Sequence, residues 1–523
     1  MIELREIKVP YDAPKEALPA EVARRLGKRP GDIKDIKILK RALDARRGRR
    51  EVSYVYNLGV SIDDEETVAE ALCLTLVKEE PYIVPEPKRE HERPVVVGFG
   101  PAGMFCSYVL AKAGLKPIVL ERGRPADERK KDVLLFWKTG KLSPESNVQF
   151  GEGGAGTFSD GKLTTGTHNS RIKYVLETFR TFGADESICY DSKPHIGTDR
   201  LQEIVVNIRH EIESLGGEVR FSSRLSGIEM SEGKVTGVKV EGPEGKYDLL
   251  CEELVIAIGH SARDTFRMLL DTGLTMEPKP FSMGVRIEHR QADLDEVQHR
   301  GKKEGLPASD YKLSARFDDG SSAYTFCMCP GGYVVASSSE EGGVVTNGMS
   351  YSKRDGENAN AAVLVTLTPD MFPYDGPLGG VRWQREIEHA AFVLGGEDYH
   401  APAQLAGDFL KRKESRGPGK IVPTYRPGVR FTDLHRCLPK VITDTLEKAI
   451  PAFAKKIGIF SQYDAVLTAP ETRSSSPVRI LRDEMLESSV RGIYPCGEGA
   501  GYAGGIVSSA VDGIRIAEAI IES

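Results

Sequence analysis

The sequence predicts an α/β protein: a Rossmann-type nucleotide-binding domain, interrupted by an inserted antiparallel β-sheet domain and preceded by a small ferredoxin-like α+β domain. Three observations carry this reading. A glycine fingerprint follows a short apolar run at Val95–Val97, a second glycine-rich turn stands close to the other end of the chain, and the stretch between them changes from helical to β-rich texture. At 523 residues the chain is long enough for several cores.

The first 85 residues read as a strand at Ile2–Val9, a helix at Pro19–Leu26, strands at Asp35–Ala42 and Val52–Ile62, and a helix from Glu65. From Arg24 to Arg50 this unit carries 12 Lys/Arg, among them Arg46, Arg47, Arg49 and Arg50. The first reading of such a run is a solvated face; an RNA or other anionic partner is the alternative. Residues 86–93, rich in Pro and charge, suit an exposed linker. The nucleotide domain is expected over 94–275 and again over 466–523, with the inserted substrate domain over 276–465.

After the linker the order is strand, glycine turn, helix, strand, acid. Gly98, Gly100 and Gly103 supply the tight turn, the close backbone approach to a pyrophosphate and the helix–strand contact. Pro101 and Ala102 open the helix, whose N-terminus offers unpaired N–H groups to an anion. Glu121, 23 positions after Gly98, ends the second strand and is followed by Arg122. A carboxylate there accepts from ribose hydroxyls and repels a 2′-phosphate, which points to NAD or FAD rather than NADP. The second turn decides between them. Gly497-Glu498-Gly-Ala-Gly-Tyr-Ala-Gly504-Gly505-Ile506 holds five glycines in nine residues, ahead of a closing helix. Glu498 suits sugar-alcohol hydroxyls, and the helix start suits a flavin's pyrimidine edge.

Together the two segments resemble the two-motif flavoproteins typified by the glutathione-reductase and para-hydroxybenzoate-hydroxylase folds. There the first motif holds ADP and a late Gly-Asp holds ribitol; Glu498 stands here in place of Asp. The resemblance also implies that the strand ending at Gly259 belongs to the nucleotide domain and that the backbone at Leu225 borders the adenine. Longer stretches, Val148–Leu163, Tyr324–Val335, Val345–Ser350 and Glu471–Arg479, resemble the FAD-dependent dehydrogenases, uncharacterised as to substrate, found across bacteria and in plastids. That likeness implies FAD and an inserted substrate domain, and names no reaction.

Gly151-Glu-Gly153-Gly154-Ala-Gly156 repeats the fingerprint formally, without the strand and helix that a second nucleotide fold needs. In the flavoprotein reading it is a loop along the flavin, with Ser159, Asp160 and Lys162 as candidate groups beside the ring and Lys162 stabilising its reduced anion; the alternative is a plain turn with solvated Asp160 and Lys162. Arg286, His289, Cys327 and Cys329 are candidates to face substrate; the bland readings are a surface imidazole for His289 and small buried hydrophobes for the cysteines. Cys496 reads as packing. Arg473 and Arg479 suit a clamp on a substrate carboxylate or phosphate, or a salt bridge at a domain junction. Lys162, Arg286 and Arg473 are thus the catalytic candidates. No metal spacing occurs among the eight cysteines.

The expected function is that of an FAD-dependent oxidoreductase moving a hydride between flavin and an organic small molecule. NADH or NADPH as transient donor and another protein as electron source both stay open. The alternative is a flavin-dependent RNA-modifying or RNA-binding protein using the basic N-terminal unit. A net charge of -6 recommends no nucleic acid or membrane partner, and with no signal-like start the chain is expected in the cytoplasm.

Overall fold

A computed structural model describes residues 1–45, 52–78, 80–166, 168–299 and 304–523. Arg46, Arg47, Arg49 and Arg50 of the basic stretch lie outside the described residues.

The nucleotide-binding body is a five-stranded parallel sheet in the order Ile493–Pro495, Leu254–Ile256, Val95–Val97, Ile118–Leu120, Glu218–Arg220. Its three inner strands are wholly Val, Ile and Leu because both faces are covered. On one face lie the helices Pro101–Lys112, Arg171–Thr181, Thr198–Ser214 and Ile506–Glu522. In Thr198–Ser214 the buried Leu201, Ile204, Val205, Ile208 and Ile212 form one stripe at helical spacing. The other face is covered by the antiparallel sheet Arg224–Ser231, Lys234–Gly242, Gly245–Leu250 and by the helix Arg263–Asp271. Val95–Val97 sits between strands reached by chain leaving in opposite directions, so the crevice at its carboxyl end is a topological switch point.

The inserted domain is a seven-stranded sheet in the order Ser314–Arg316, Ser322–Cys329, Asn358–Leu367, Phe281–Arg290, Val466–Glu471, Ala401–Leu405, Val429–Phe431. Its two central strands are buried along nearly their whole length. Tyr333–Ala336 pairs not with this sheet but with Thr346–Met349 in a separate hairpin. One boundary departs from the sequence reading. Val466–Glu471, assigned by sequence to the returning nucleotide domain, bonds to Phe281–Arg290 and to Ala401–Leu405, so the insert runs past residue 465.

At the N-terminus Ile2–Pro10, Ser53–Ser61 and Asp35–Asp44 form a three-stranded antiparallel sheet, with Ser53–Ser61 central, packed with the helices Ala17–Leu26 and Glu65–Ala71. A single antiparallel bridge from Ile2 to Leu76 lengthens the sheet at one edge. The other edge docks on the body: Arg41 N–H donates to the Tyr190 carbonyl at 2.8 Å, and Ser192 N–H donates to the Arg41 carbonyl at 2.8 Å. The segment 86–93 is pinned rather than loose. Arg89 and His91 both reach Glu253, at 2.8 and 3.2 Å, and Lys88 N–H donates to the Ile521 carbonyl.

Candidate functional site

Both glycine turns open on one cavity of about 1830 Å³. Pockets for a single small ligand run to roughly 1,000 Å³, so this one has room for a dinucleotide and a second molecule. Gly98, Gly100, Pro101, Ala102, Glu121, Arg122, Gly154, Gly156, Leu225, Gly259, Glu498, Gly504, Gly505 and Ile506 line it; Gly103, Gly153 and Gly497 stand behind the wall.

The two turns touch. A Cβ on Gly103 would fall 1.9 Å from the Gly98 carbonyl oxygen, so only glycine lets helix and strand pack at this distance. A Cβ on Gly497 would fall 2.6 Å from Ala102 Cβ, which brings the C-terminal turn directly against the start of the fingerprint helix. The Gly153–Gly156 loop closes the ring: Gly153 N–H donates to the Phe99 carbonyl at 2.9 Å, and Gly156 lies beside Pro101 and Ile506.

Glu121 accepts three backbone N–H bonds, from Phe99 to Oε2 at 2.8 Å and from Gly123 and Gly151 to Oε1, both at 2.9 Å. A carboxylate offers about four lone-pair sites, so one on Oε2 is left for a ribose hydroxyl. Arg122 lies over Phe150 and is held by Glu145 and Asp264, spending most of its donors on protein. Glu498 does not stand alone as an acid in a turn: its Oε1 meets His260 Nδ1 at 2.9 Å. His260 Nε2 is buried, has no partner, and its ring borders the cavity. With Glu498 accepting from Nδ1–H, the orphaned Nε2 of the neutral ring is an acceptor, a seat for a ligand hydroxyl. With the open starts of the helices Pro101–Lys112 and Ile506–Glu522, these residues fit FAD.

Two of the three catalytic candidates require correction. Arg286 is fully buried and has no donor left to offer. Nε and Nη2 bind Glu471 at 2.7 and 2.8 Å, Nη1 bonds the Cys327 carbonyl and Asn360, and Nη2 also bonds Asn347. Glu471 outweighs the cost of burial and raises the guanidinium pKa, so Arg286 stays charged. It faces Glu471, which lines the cavity, rather than substrate.

Arg473 lines the cavity, but its fork is spent on Glu388, at 3.1 and 2.8 Å, and on Ser261 and Ser339. Glu388 also accepts from both Nη atoms of Arg263, at 2.8 and 2.7 Å. Burial disfavours its charge, yet Arg263 and Arg473 prevail and hold its carboxyl well below the usual range. This is the domain-junction ion pair, not a clamp. Arg479 points to Glu277 and the Gly501 carbonyl.

Lys162 does reach the cavity, 3.7 Å from Asp160, whose two oxygens Arg354 already engages. Ser159 lines the cavity too, with its hydroxyl bonded to the Gly156 carbonyl at 2.7 Å. His289 is not a surface imidazole. It is buried between Tyr311 and Phe460, and burial pushes its pKa down to about 4. Cys327 and Cys496 border the cavity as free thiols raised by burial; Cys329 lies deeper, pushed up to about 12.

Sequence reasoning missed His260, Tyr311, and Arg41 and Tyr54, which line the same cavity from the N-terminal unit. His260 was within reach, since it directly follows the glycine at a strand's carboxyl end. Tyr311 and Tyr54 carry no local signal.

Among the described residues no helix is long and apolar enough to cross a membrane, and no cluster has the makings of a metal site. Residues 280–474 match the family "FAD-dependent protein, C-terminal domain-like", a span that includes the strand Val466–Glu471; residues 1–61 match a domain of unknown function. A protein of Clostridium beijerinckii, named only "Uncharacterized protein", is 45% identical across 100% of this chain and 98% of its own length. Similar solved structures include a flavin-dependent brominase, with 11% identity over 82% of this chain and 77% of that one and a TM-score of 0.36. A geranylgeranyl bacteriochlorophyll reductase-like protein of Thermoplasma acidophilum gives 13% over 81% and 76%, with a TM-score of 0.36. Glycine oxidase of Bacillus cereus gives 14% over 82% and 95%, with a TM-score of 0.30. Identities and TM-scores of this size carry no functional weight. The clostridial relative spans both glycine turns and the insert between them, and this chain belongs with it to a family of FAD-dependent proteins whose cofactor is FAD.

Proposed function

We propose that the protein is an FAD-dependent oxidoreductase acting on an organic small molecule in the space between the nucleotide-binding body and the inserted sheet. The observation that carries this is the cavity itself: both glycine turns open on it, the insert walls it, and it exceeds the volume of one ligand. When bound, FAD supplies hydride exchange at its N5.

The chain's own residues then have distinct tasks. Glu121 receives a ribose hydroxyl on its remaining lone pair. The helix start at Pro101 receives the pyrophosphate. His260, its Nδ1–H given to Glu498, accepts from a ribityl hydroxyl at Nε2, and the helix start at Ile506 faces the pyrimidine edge. Arg286 acts as a positioning residue, presenting Glu471 to the cavity as a carboxylate. The Arg263–Glu388–Arg473 network joins the helix Arg263–Asp271 to the insert.

We read the N-terminal unit as ferredoxin-like with a vestigial fourth strand, the insert as ending near residue 474, and the protein as residing in the cytoplasm. RNA modification remains the second reading, since Arg41 and Tyr54 border the cavity. Against it, Arg24, Lys28, Arg29, Lys34 and Arg41 already pair with Glu21, Asp64, Asp32, Asp63 and Asp191, which leaves less charge for phosphates. The test is an anaerobic absorbance titration of the purified protein with NADH and with NADPH, followed by reoxidation with fractionated metabolite extracts. Bleaching of the flavin and its recovery by one fraction support the reading. A flavin reduced by dithionite that no fraction reoxidises counts against it.

A further inference from the structure

The N-terminal unit meets the body along a seam that is also a wall of the cavity. From its own side Arg41, Leu43 and Tyr54 border the cavity, and from the body's side Asp191, Ser192 and Lys193 do. The seam is a single parallel bridge between Arg41 and Asp191, with Arg41 N–H donating to the Tyr190 carbonyl and Ser192 N–H to the Arg41 carbonyl, both at 2.8 Å. Over this bridge the Arg41 fork closes on Asp191, Nε to Oδ1 at 2.6 Å and Nη2 to Oδ2 at 2.9 Å. The guanidinium also lies over two rings, 5.3 Å from the centre of Tyr54 in its own unit and 5.2 Å from that of Tyr190 in the body.

The bonds across this seam are polar, and the apolar cores on its two sides do not merge. Ile2, Leu4, Val22, Leu58 and Val60 belong to a core built only from residues of the N-terminal unit, while Tyr82 and Val84 of the following segment already pack on the body. That segment is fixed: Tyr82 Oη donates to Glu518 and Arg89 to Glu253, both at 2.8 Å. A unit with its own core, tethered at one end and joined across a polar seam, moves relative to its neighbour by default. The Arg41 and Asp191 side chains are each 28% exposed, so their ion pair holds the seam weakly enough to be broken and remade.

We propose that the strands Asp35–Asp44 and Ser53–Ser61 form a movable wall of the cavity, latched by Arg41 and Asp191, and that parting the latch admits and releases the dinucleotide. The proposal rests on the FAD reading above and gives a task to the N-terminal unit, which matches only a domain of unknown function. Because residues on both sides of the seam border the cavity, separating them opens the cavity along that line. Arg41 spends its fork on Asp191 and has no part in holding FAD. A latch of this kind sets how fast a ligand passes in either direction and leaves its affinity alone.

The experiment follows FAD uptake by the stripped chain in a stopped flow, and FAD release by exchange of bound radiolabelled FAD for excess unlabelled FAD. In Asp191→Asn both rates are expected to rise about fivefold, the upper range for a partly exposed ion pair, with the dissociation constant unchanged within about twofold. Arg41→Lys keeps the charge and loses the fork, and should quicken both rates by less. The swap of Arg41→Asp with Asp191→Arg should return both rates towards wild type, which no folding defect would do. Unchanged rates in Asp191→Asn overturn the proposal, as does a swap no slower than its single halves. Faster release without faster uptake overturns it too, because that marks a ligand contact in place of a gate. A chain that takes up FAD at rates indifferent to the latch sinks this inference alone; a chain that takes up no FAD sinks the reading beneath it.

Discussion

Replacing Glu121 by Gln separates a ribose ligand from a structural anchor. The carboxylate gathers N–H groups from three segments: the fingerprint turn at Phe99, its own turn at Gly123, and the flavin loop at Gly151. In Glu121→Gln the amide oxygen keeps the two bonds from Gly123 and Gly151, without charge assistance, and the NH₂ group is set against the Phe99 N–H. Losing charge from the bonds costs about 1 kcal/mol each, and stranding the buried Phe99 N–H costs about 1–3 kcal/mol. The sum is a destabilisation of about 3–5 kcal/mol of the FAD-stripped protein, read by urea unfolding. FAD affinity, read by quenching of flavin fluorescence, falls in addition because the lone pair kept for ribose is replaced by a donor. A stripped Glu121→Gln protein within about 1 kcal/mol of wild type would refute the anchoring role, since bonds worth that little are not holding three loops.

Acidification tests His289. Its folded pKa of about 4 lies below the ordinary histidine value near 6.5, so the unfolded chain binds the extra proton between these limits and stability must rise with pH across them. The contribution is fully present above pH 6.5 and is lost towards pH 4, about 3 kcal/mol in all, and His289→Phe should flatten that part of the urea-midpoint profile against pH. A native titration with a thiol reagent should label Cys73 first, because it is the exposed cysteine while Cys106, Cys251, Cys329, Cys437 and Cys496 are buried. Cys73→Ser should remove the fast phase, and an unchanged fast phase would contradict the described burial.

The parts of the site that were legible in the sequence are those in which one short segment contains both the geometry and its cause. Gly98, Gly100, Gly103 and Glu121 lie within a single strand–helix–strand unit, and their spacing alone prescribes what each must do. Gly497 to Ile506 is equally self-contained. The misreadings share the opposite property. Arg286 finds Glu471 across 185 positions of sequence, and Arg473 finds Glu388 across 85, so neither guanidinium shows locally that its donors are taken. His289 ends a strand and reads as surface, yet Phe281–Arg290 is central in its sheet and covered on both faces, which buries the imidazole. Residues 466–471 fall within the span 466–523 assigned by sequence to the nucleotide domain; only the antiparallel ladders of Val466–Glu471 reveal the sheet it joins. Glu498 was found, but not the histidine on which its longer side chain rests.

The most direct measurement is the stoichiometry of FAD uptake by the stripped chain, followed calorimetrically, with NAD as the comparison ligand. Two glycine turns closing on one nucleotide require a single FAD per chain, with NAD unable to displace it. Uptake of NAD in place of FAD, or of no flavin at all, would contradict the account.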